Sequence, residues 1–244
     1  FIVGASRSGT TLLRLMLNAH SRLAVPDEMK YFRFLDGTQN LASWNTPRSP
    51  DAYRRLVRGY VTAHRAFVAS VPGALEALCQ SEVDRTARGP YRAFLRHWAQ
   101  ESGKERWGEK TPHNIFYVDV IADMFPGAKF IHVVRDPRAV VQSMNASSYY
   151  SCETVFNALN WRRSIRDGRD LLGALPSDQH LTVRYEDLVR EPTPTLRSVC
   201  AFLDEAFEAS MLRFYETADQ HMAHQIRTPS IKGPVNQSGL SKWR

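Results

Sequence analysis

A glycine-bearing turn separates an apolar run from an amphipathic segment at the start of the chain. The run FIV covers residues 1–3, the turn GASRSG covers residues 4–9, and apolar residues at helical spacing follow over residues 10–19. A β-prone run, a turn and a periodic segment predict a strand that leads into a helix. Because this unit is the first half of a βαβ motif, it predicts an α/β fold with a parallel sheet.

The same turn has the chemistry of an anion site. Glycines let successive backbone N–H groups point at one anion, and the helix N-terminus adds a partial positive charge. The spacing is that of a P-loop, but Thr10 stands where a P-loop has lysine, and Arg7 supplies a cation earlier in the turn. That lysine normally reaches the terminal phosphates of a nucleoside triphosphate. Its absence disfavours a P-loop kinase or NTPase, which stays open as an alternative beside a turn that binds nothing.

The rest of the chain alternates between strand and helix signals. Asp136 and Pro137 are typical of a helix N-cap and first helical residue, and Asn114 is a second candidate cap. We predict strands over residues 107–109, 129–134 and 181–185, and helices over 53–67, 91–99, 114–124, 137–144, 154–172 and 195–203. The pattern predicts one three-layer P-loop-like domain over residues 1–244, with a central, mainly parallel sheet flanked by helices.

Composition limits the partners. A net charge of +7 indicates affinity for polyanions, but the basic residues are dispersed and no groove-reading motif is present, so we expect no nucleic acid partner. Scattered His and Cys predict no metal site. Cys79, Cys152 and Cys200 lack a paired spacing, which favours free thiols and a cytoplasmic location. No apolar run in the sequence reaches the length of a membrane span.

Four sequence blocks resemble the sulfotransferases that use 3′-phosphoadenylyl sulfate (PAPS), and most closely the protein-tyrosine sulfotransferases and their bacterial relatives. RSGTT at residues 7–11 is similar to the family's 5′-phosphosulfate loop, and the likeness continues to Glu28. VRDPR at 134–138 through Ser143 resembles the 3′-phosphate segment. YEDL at 185–188 and the tail blocks PVN and LSKW, at 234–236 and 240–243, follow in the expected order.

The resemblance implies a donor site and a reaction. PAPS is the expected donor and 3′-phosphoadenosine 5′-phosphate (PAP) the product, without a metal. The implied donor-binding residues are Arg7, Ser8, Gly9, Thr10, Thr11, Arg135, Ser143, Tyr185, Thr228, Ser230, Asn236 and Lys242. The sequence leaves open whether Thr228 or Ser230 contacts the sulfate, because Gly233 interrupts the tail motif.

The resemblance also implies the catalytic residues. Glu28 aligns with the family's catalytic glutamate and is the expected base, while Arg7 and Lys110 are expected to stabilise charge. The adjacent Glu109 leaves a surface ion pair with Lys110 as the alternative interpretation. Among the histidines, His132 is expected in the core and His113 is kept as a reserve base.

The acceptor stays open at this level. Lys30 and Ser147 stand where the tyrosine sulfotransferases carry arginines, so a phenol or tyrosyl group, an alcohol or a glycan hydroxyl all fit. We expect residues 31–106 to form a helical insertion on the acceptor side and residues 226–244 to close over the donor. The expected partner is a small-molecule or peptide acceptor, and a homodimer is the alternative to a monomer. A non-catalytic nucleotide-binding module is the remaining alternative function.

Overall fold

Parallel strand pairs form two sheets in the part of the chain that the structure describes. The computed structural model describes residues 1–80, 84–148, 150–217, 233–235 and 240. The strands are β1 (Ile2–Gly4), β2 (Leu23–Ala24), β3 (Arg106–Trp107), β4 (Phe130–Val134) and β5 (His180–Arg184). The central sheet has the order β1-β4-β5, and β2 pairs with β3. A parallel bridge between Ile2 and Lys110 brings the segment after β3 alongside β1.

Helices connect and cover these strands. They are α1 (Thr10–Asn18), α2 (Tyr31–Gly37), α3 (Pro50–Ala63), α4 (Arg65–Ala69), α5 (Ala74–Gln80), α6 (Arg88–Glu101), α7 (Val118–Met124), α8 (Pro137–Asn145), α9 (Thr154–Gly173), α10 (Tyr185–Arg190) and α11 (Pro192–Phe202). Three 3₁₀ helices add Pro112–Tyr117, Ser177–Gln179 and Ala209–Glu216. In the described ranges, none of these helices combines the length and the hydropathy that crossing a membrane would need.

Strand alternation divides the core between the two faces of the central sheet. Ile131 and Val133 of β4 lie in a buried cluster with residues of α1, α11 and the last 3₁₀ helix. Phe130, which precedes Ile131 in β4 and points to the other face, joins Val3 in a second cluster with α2, α3, α6 and α7. Because successive side chains of a strand point to opposite faces, the two clusters lie on opposite sides of the sheet. The predicted three-layer α/β architecture is confirmed.

Local signals predicted most helix ends to within two residues, while several helix starts differ by three or four. Asp136 caps α8, accepting a hydrogen bond from the backbone N–H of Arg138 at 2.9 Å. The helix predicted over 53–67 divides into α3 and α4 at His64, whose backbone leaves the helical region. The short helices α2 and α10 were not predicted. The prediction that Asn114 caps a helix was wrong, because its amide donates to buried Glu109 and α7 begins later, at Val118.

The region between β2 and β3 is helical, as predicted. Helices α2 and α6 also belong to the main core, where Tyr31 stacks on Tyr91 with ring centroids 4.9 Å apart. The assignment of this region to the acceptor remains a prediction. The three cysteines are free; Cys200 is buried, and Cys79 and Cys152 are exposed.

Candidate active site

The turn after β1 is forced into its shape by two close approaches. Gly4 has φ 148°, and a Cβ there would lie 2.4 Å from the carbonyl oxygen of Val133. Gly9 has φ 98°, and a Cβ there would lie 2.2 Å from the ring of Tyr185. Arg7 between them adopts the left-handed region with φ 68°. Both glycines are therefore needed to place this turn against the ends of β4 and β5.

Polar side chains from this turn and from the first residues of α1 lie at the N-terminus of that helix. Thr10 is buried at the first helical position, and Thr11 follows it half-buried. Ser8 is fully buried, and its Oγ has no hydrogen-bond partner among the described residues. A buried hydroxyl without a partner suits an oxygen-rich ligand, and the helix N-terminus favours an anion. The turn fits the phosphosulfate group that the sequence predicted there.

A second cationic site lies where β4 ends. Arg135 donates to the carbonyl oxygen of Arg7 at 3.0 Å, and its guanidinium stacks on the Tyr185 ring at 4.2 Å. Arg7 in turn donates from Nε to Oγ of Ser143 at 3.0 Å. Burial lowers the pKa of Arg135 from its ordinary value. The structure thus brings together Arg7, Arg135, Ser143 and Tyr185, four of the residues predicted to bind the donor, and their binding role stays a prediction.

Glu28, the predicted base, and Lys110, a predicted charge-stabilising residue, form an ion pair. Lys110 Nζ lies 2.8 Å from Glu28 Oε1 and 3.5 Å from Asp27 Oδ1. Asp27 also lies 4.0 Å from the guanidinium of Arg14 on α1. The Lys110 side chain is 0% exposed while that of Glu28 is 23% exposed. Glu28 is therefore the member of this pair that a solvent-side acceptor can reach.

Glu109 and its partners lie behind this pair. Its carboxylate accepts from Asn114 Nδ2 at 2.6 Å, from the Thr111 hydroxyl and from the backbone N–H of Met29 at 3.4 Å. Burial raises the pKa of Glu109 to about 7. The alternative of a surface ion pair between Glu109 and Lys110 is wrong, since both residues are buried.

Sequence reasoning missed three charged residues of this site. Arg14, Asp27 and Glu109 are 1%, 5% and 1% exposed. Arg14 lies on the apolar side of α1, and this placement of a charge was the available signal. Nothing in the local sequence distinguishes Asp27 or Glu109 from solvated carboxylates, because their burial depends on contacts with distant segments.

The histidines occupy structural or peripheral positions. His132 is buried in β4, as expected, and burial lowers its pKa to about 4. His20 accepts from the backbone N–H of Arg22 at Nδ1, so its Nε2 donates to the Ala206 carbonyl oxygen at 2.9 Å. His113 packs on Phe116, and burial, with nearby Arg33 and Arg163, lowers its pKa.

Four predicted donor-binding residues lie outside the described residues: Thr228, Ser230, Asn236 and Lys242. Lys30 is described, in the left-handed region with φ 53°, and its N–H donates to Thr111 Oγ1 at 3.3 Å. No cluster of three or more His, Cys, Asp or Glu residues suited to a metal occurs in the described ranges.

Fold and site together define an α/β protein with a central parallel sheet and a glycine-bearing turn between its first strand and first helix. The model of the "Sulfotransferase family" matches residues 1–209, and the chain belongs to that family. This confirms the family predicted from the motifs and supports a transferase activity.

Known proteins extend the likeness beyond the motifs. Protein-tyrosine sulfotransferase 1 of Danio rerio is 29% identical over 261 residues, which cover 100% of this chain and 64% of that protein. Protein-tyrosine sulfotransferase A of Caenorhabditis elegans is 26% identical, with 100% and 60% covered. The chain thus spans less than two thirds of these relatives. The sulfotransferase domain of the Synechococcus PCC 7002 olefin synthase has a TM-score of 0.73 and 25% identity, with 100% of this chain and 86% of that domain covered.

Proposed function

We propose that this protein transfers a sulfuryl group from PAPS to a hydroxyl group of an acceptor. The observation that carries the proposal is the arrangement of two arginine-containing sites, each suited to an anion, beside a lysine–carboxylate pair. Arg7 and Arg135 are held within one hydrogen-bonded group with Ser143. Lys110 lies on the segment that bridges to β1 and forms an ion pair with Glu28.

Two anion sites suit a ligand that carries two separate anionic groups. The turn over residues 4–9 and the start of α1 would hold the 5′-phosphosulfate, through backbone N–H groups and the hydroxyls of Ser8, Thr10 and Thr11. Arg135 would hold the 3′-phosphate with its planar guanidinium, and Ser143 would add a hydroxyl. A nucleoside triphosphate has no 3′-phosphate to occupy this second site.

Glu28, Lys110 and Arg7 are the protein groups that take part in the transfer. The donor provides a sulfuryl group whose bond to the phosphate oxygen breaks as the acceptor oxygen bonds to sulfur. Glu28 takes the proton from the acceptor hydroxyl, because its carboxylate is the partly exposed member of the pair. Lys110 and Arg7 stabilise the negative charge that develops on the departing oxygen. These side-chain cations leave no role that requires a metal.

We further propose a hydroxyl acceptor on a small molecule or peptide and a cytoplasmic location. Two relatives are named protein-tyrosine sulfotransferases, which supports a phenolic or tyrosyl acceptor. Lys30, in place of the arginine of those enzymes, supports an acceptor that differs in detail.

Calorimetric titration with PAP, Mg-ATP and AMP tests the donor. We expect PAP to bind, Mg-ATP and AMP to bind much more weakly, and Arg135→Ala to weaken PAP binding about 10- to 100-fold, the loss of one hydrogen-bonded charge. Arg190→Ala, which removes an exposed guanidinium from α10, is the matched control and should leave PAP affinity intact. A preference for Mg-ATP, or equal binding of PAP and AMP, would sink the proposal and favour the kinase alternative. A protein that binds PAP but is equally active after Glu28→Gln would refute the assigned base.

A further inference from the structure

Glu109 holds together the two chain segments that carry Glu28 and Lys110. Its Oε1 accepts from the backbone N–H of Met29, the residue after Glu28, at 3.4 Å. The same oxygen accepts from the hydroxyl of Thr111, the residue after Lys110. One carboxylate oxygen therefore links two turns that are far apart in the chain, since Met29 and Glu109 are separated by 80 residues.

The second oxygen and the neighbouring groups complete this connection. Glu109 Oε2 accepts from Asn114 Nδ2 at 2.6 Å. The Thr111 hydroxyl also accepts from the N–H of Lys30 at 3.3 Å, so both residues after Glu28 are held. The backbone of Glu109 is fixed separately, since its carbonyl oxygen accepts from Ile2 N–H at 2.9 Å.

From these contacts we infer that Glu109 is a positioning residue for the Glu28–Lys110 pair. The inference rests on the proposed function, in which that pair supplies the base and a cation. Glu109 is 1% exposed and reaches neither solvent nor acceptor, so it acts through the residues that it holds. A buried carboxylate is costly to retain unless its partners compensate it, and here the partners are the two turns of the active site.

The Glu109→Gln substitution removes the charge while keeping the shape. Glutamine Oε1 can still accept from Met29 and Thr111. Its amide can donate to Oδ1 of Asn114, which has no hydrogen-bond partner among the described residues, once the Asn114 amide rotates. Glu109→Leu keeps similar volume and removes every one of these bonds. Glu101→Gln, at an exposed position of α6, is the matched control.

The experiment measures kcat, PAP affinity and the Lys110 ammonium signal for these three variants. We expect Glu109→Gln to lower kcat about tenfold and Glu109→Leu about 100-fold, because small displacements of catalytic groups cost this much. PAP affinity should stay within about twofold, since its proposed ligands lie on other elements and distant sites behave independently. In Glu28→Gln protein, Glu109→Gln should cost little more, because the pair it positions is already broken.

A readout independent of the donor separates this inference from the proposed function. In protein with ¹⁵N-labelled lysine, the buried Lys110 ammonium signal, assigned by its loss in Lys110→Met, should move in Glu109→Gln and not in Glu101→Gln. An unmoved signal with unchanged kcat would overturn the inference, as would equal loss of kcat and PAP affinity together with unfolding. If the wild type binds no PAP, the proposed function fails, while the Lys110 signal still decides whether Glu109 positions that lysine.

Discussion

Lys110 is a cation whose whole side chain is buried beside two carboxylates. Its side chain is 0% exposed, and Asp27 and Glu28 lie at 3.5 and 2.8 Å. Arg14 balances Asp27 from the side of α1. Two cations and two anions thus form a neutral group, and removing one member leaves a buried charge uncompensated. This group connects α1 to the proposed base.

Lys110→Met tests the role of this cation. We expect kcat to fall about 10²- to 10³-fold, as for the loss of one preorganised charge-stabilising group, with PAP affinity retained. Lys129→Met is the control, because Lys129 precedes β4, at the opposite end of that strand from Arg135, and pairs with exposed Asp204. The measurement is steady-state sulfuryl transfer beside PAP titration. Unchanged turnover in Lys110→Met would remove Lys110 from the proposed chemistry.

The residues of the proposed second anion site lie from the start of helix α8 to its last turn. Asp136 caps it, Arg135 precedes the cap, and Ser143 lies about two turns further on. The backbone N–H of Asp136 also donates to Glu186 Oε1 at 2.9 Å, which ties the cap to α10. The start of this helix therefore fixes the distance between Arg135 and Ser143.

Removing the cap should affect both stability and donor binding. We expect Asp136→Ala to lower the free energy of unfolding by about 1 kcal/mol, the usual contribution of an N-cap. The free energy of PAP binding should weaken by a similar amount, because the start of α8 frays. Asp136→Asn keeps a capping oxygen and is the control. Denaturant unfolding and calorimetry give the two values. A destabilised Asp136→Ala protein with wild-type PAP affinity would show that the helix start does not set the Arg135 site.

For strands, helices and turns, the sequence predicted the features that depend on adjacent residues. The turn after β1, the apolar strand β4 and the Asp136–Pro137 cap are encoded by adjacent residues, and each was predicted. The position of Glu109 is not encoded locally. A Glu-Lys pair is typical of a solvated surface, and contacts with the distant residues Met29 and Ile2 make Glu109 part of a buried network. The division at His64 was missed for the same reason.

In the whole molecule, two buried groups on separate segments respond oppositely to pH. Burial, followed by the effect of His180, lowers the pKa of His132 from 6.5 to about 4. Burial raises the pKa of Glu109 from 4.5 to about 7. Below pH 6.5 His132 binds a proton in the unfolded chain but stays neutral in the folded protein. His132 therefore makes stability fall as pH falls towards 4. Glu109 makes stability fall as pH rises from 4.5 towards 7, because the folded protein keeps a proton that the unfolded chain loses.

Between pH 4.5 and 6.5 these two dependences have opposite slopes of about 1.4 kcal/mol per pH unit each, and their sum is nearly flat. Glu109→Gln removes the falling component, so we expect its free energy of unfolding, relative to that of the wild type, to increase with pH across this window. His132→Leu removes the rising component and should show the reverse slope. Urea unfolding at pH 4.5, 5.5 and 6.5 measures both slopes, with Glu101→Gln, a substitution at an exposed position of α6, as the control. Parallel profiles for wild type and Glu109→Gln would mean that folding does not raise the pKa of the Glu109 carboxyl, and its network would then hold a charged rather than a protonated group near neutral pH.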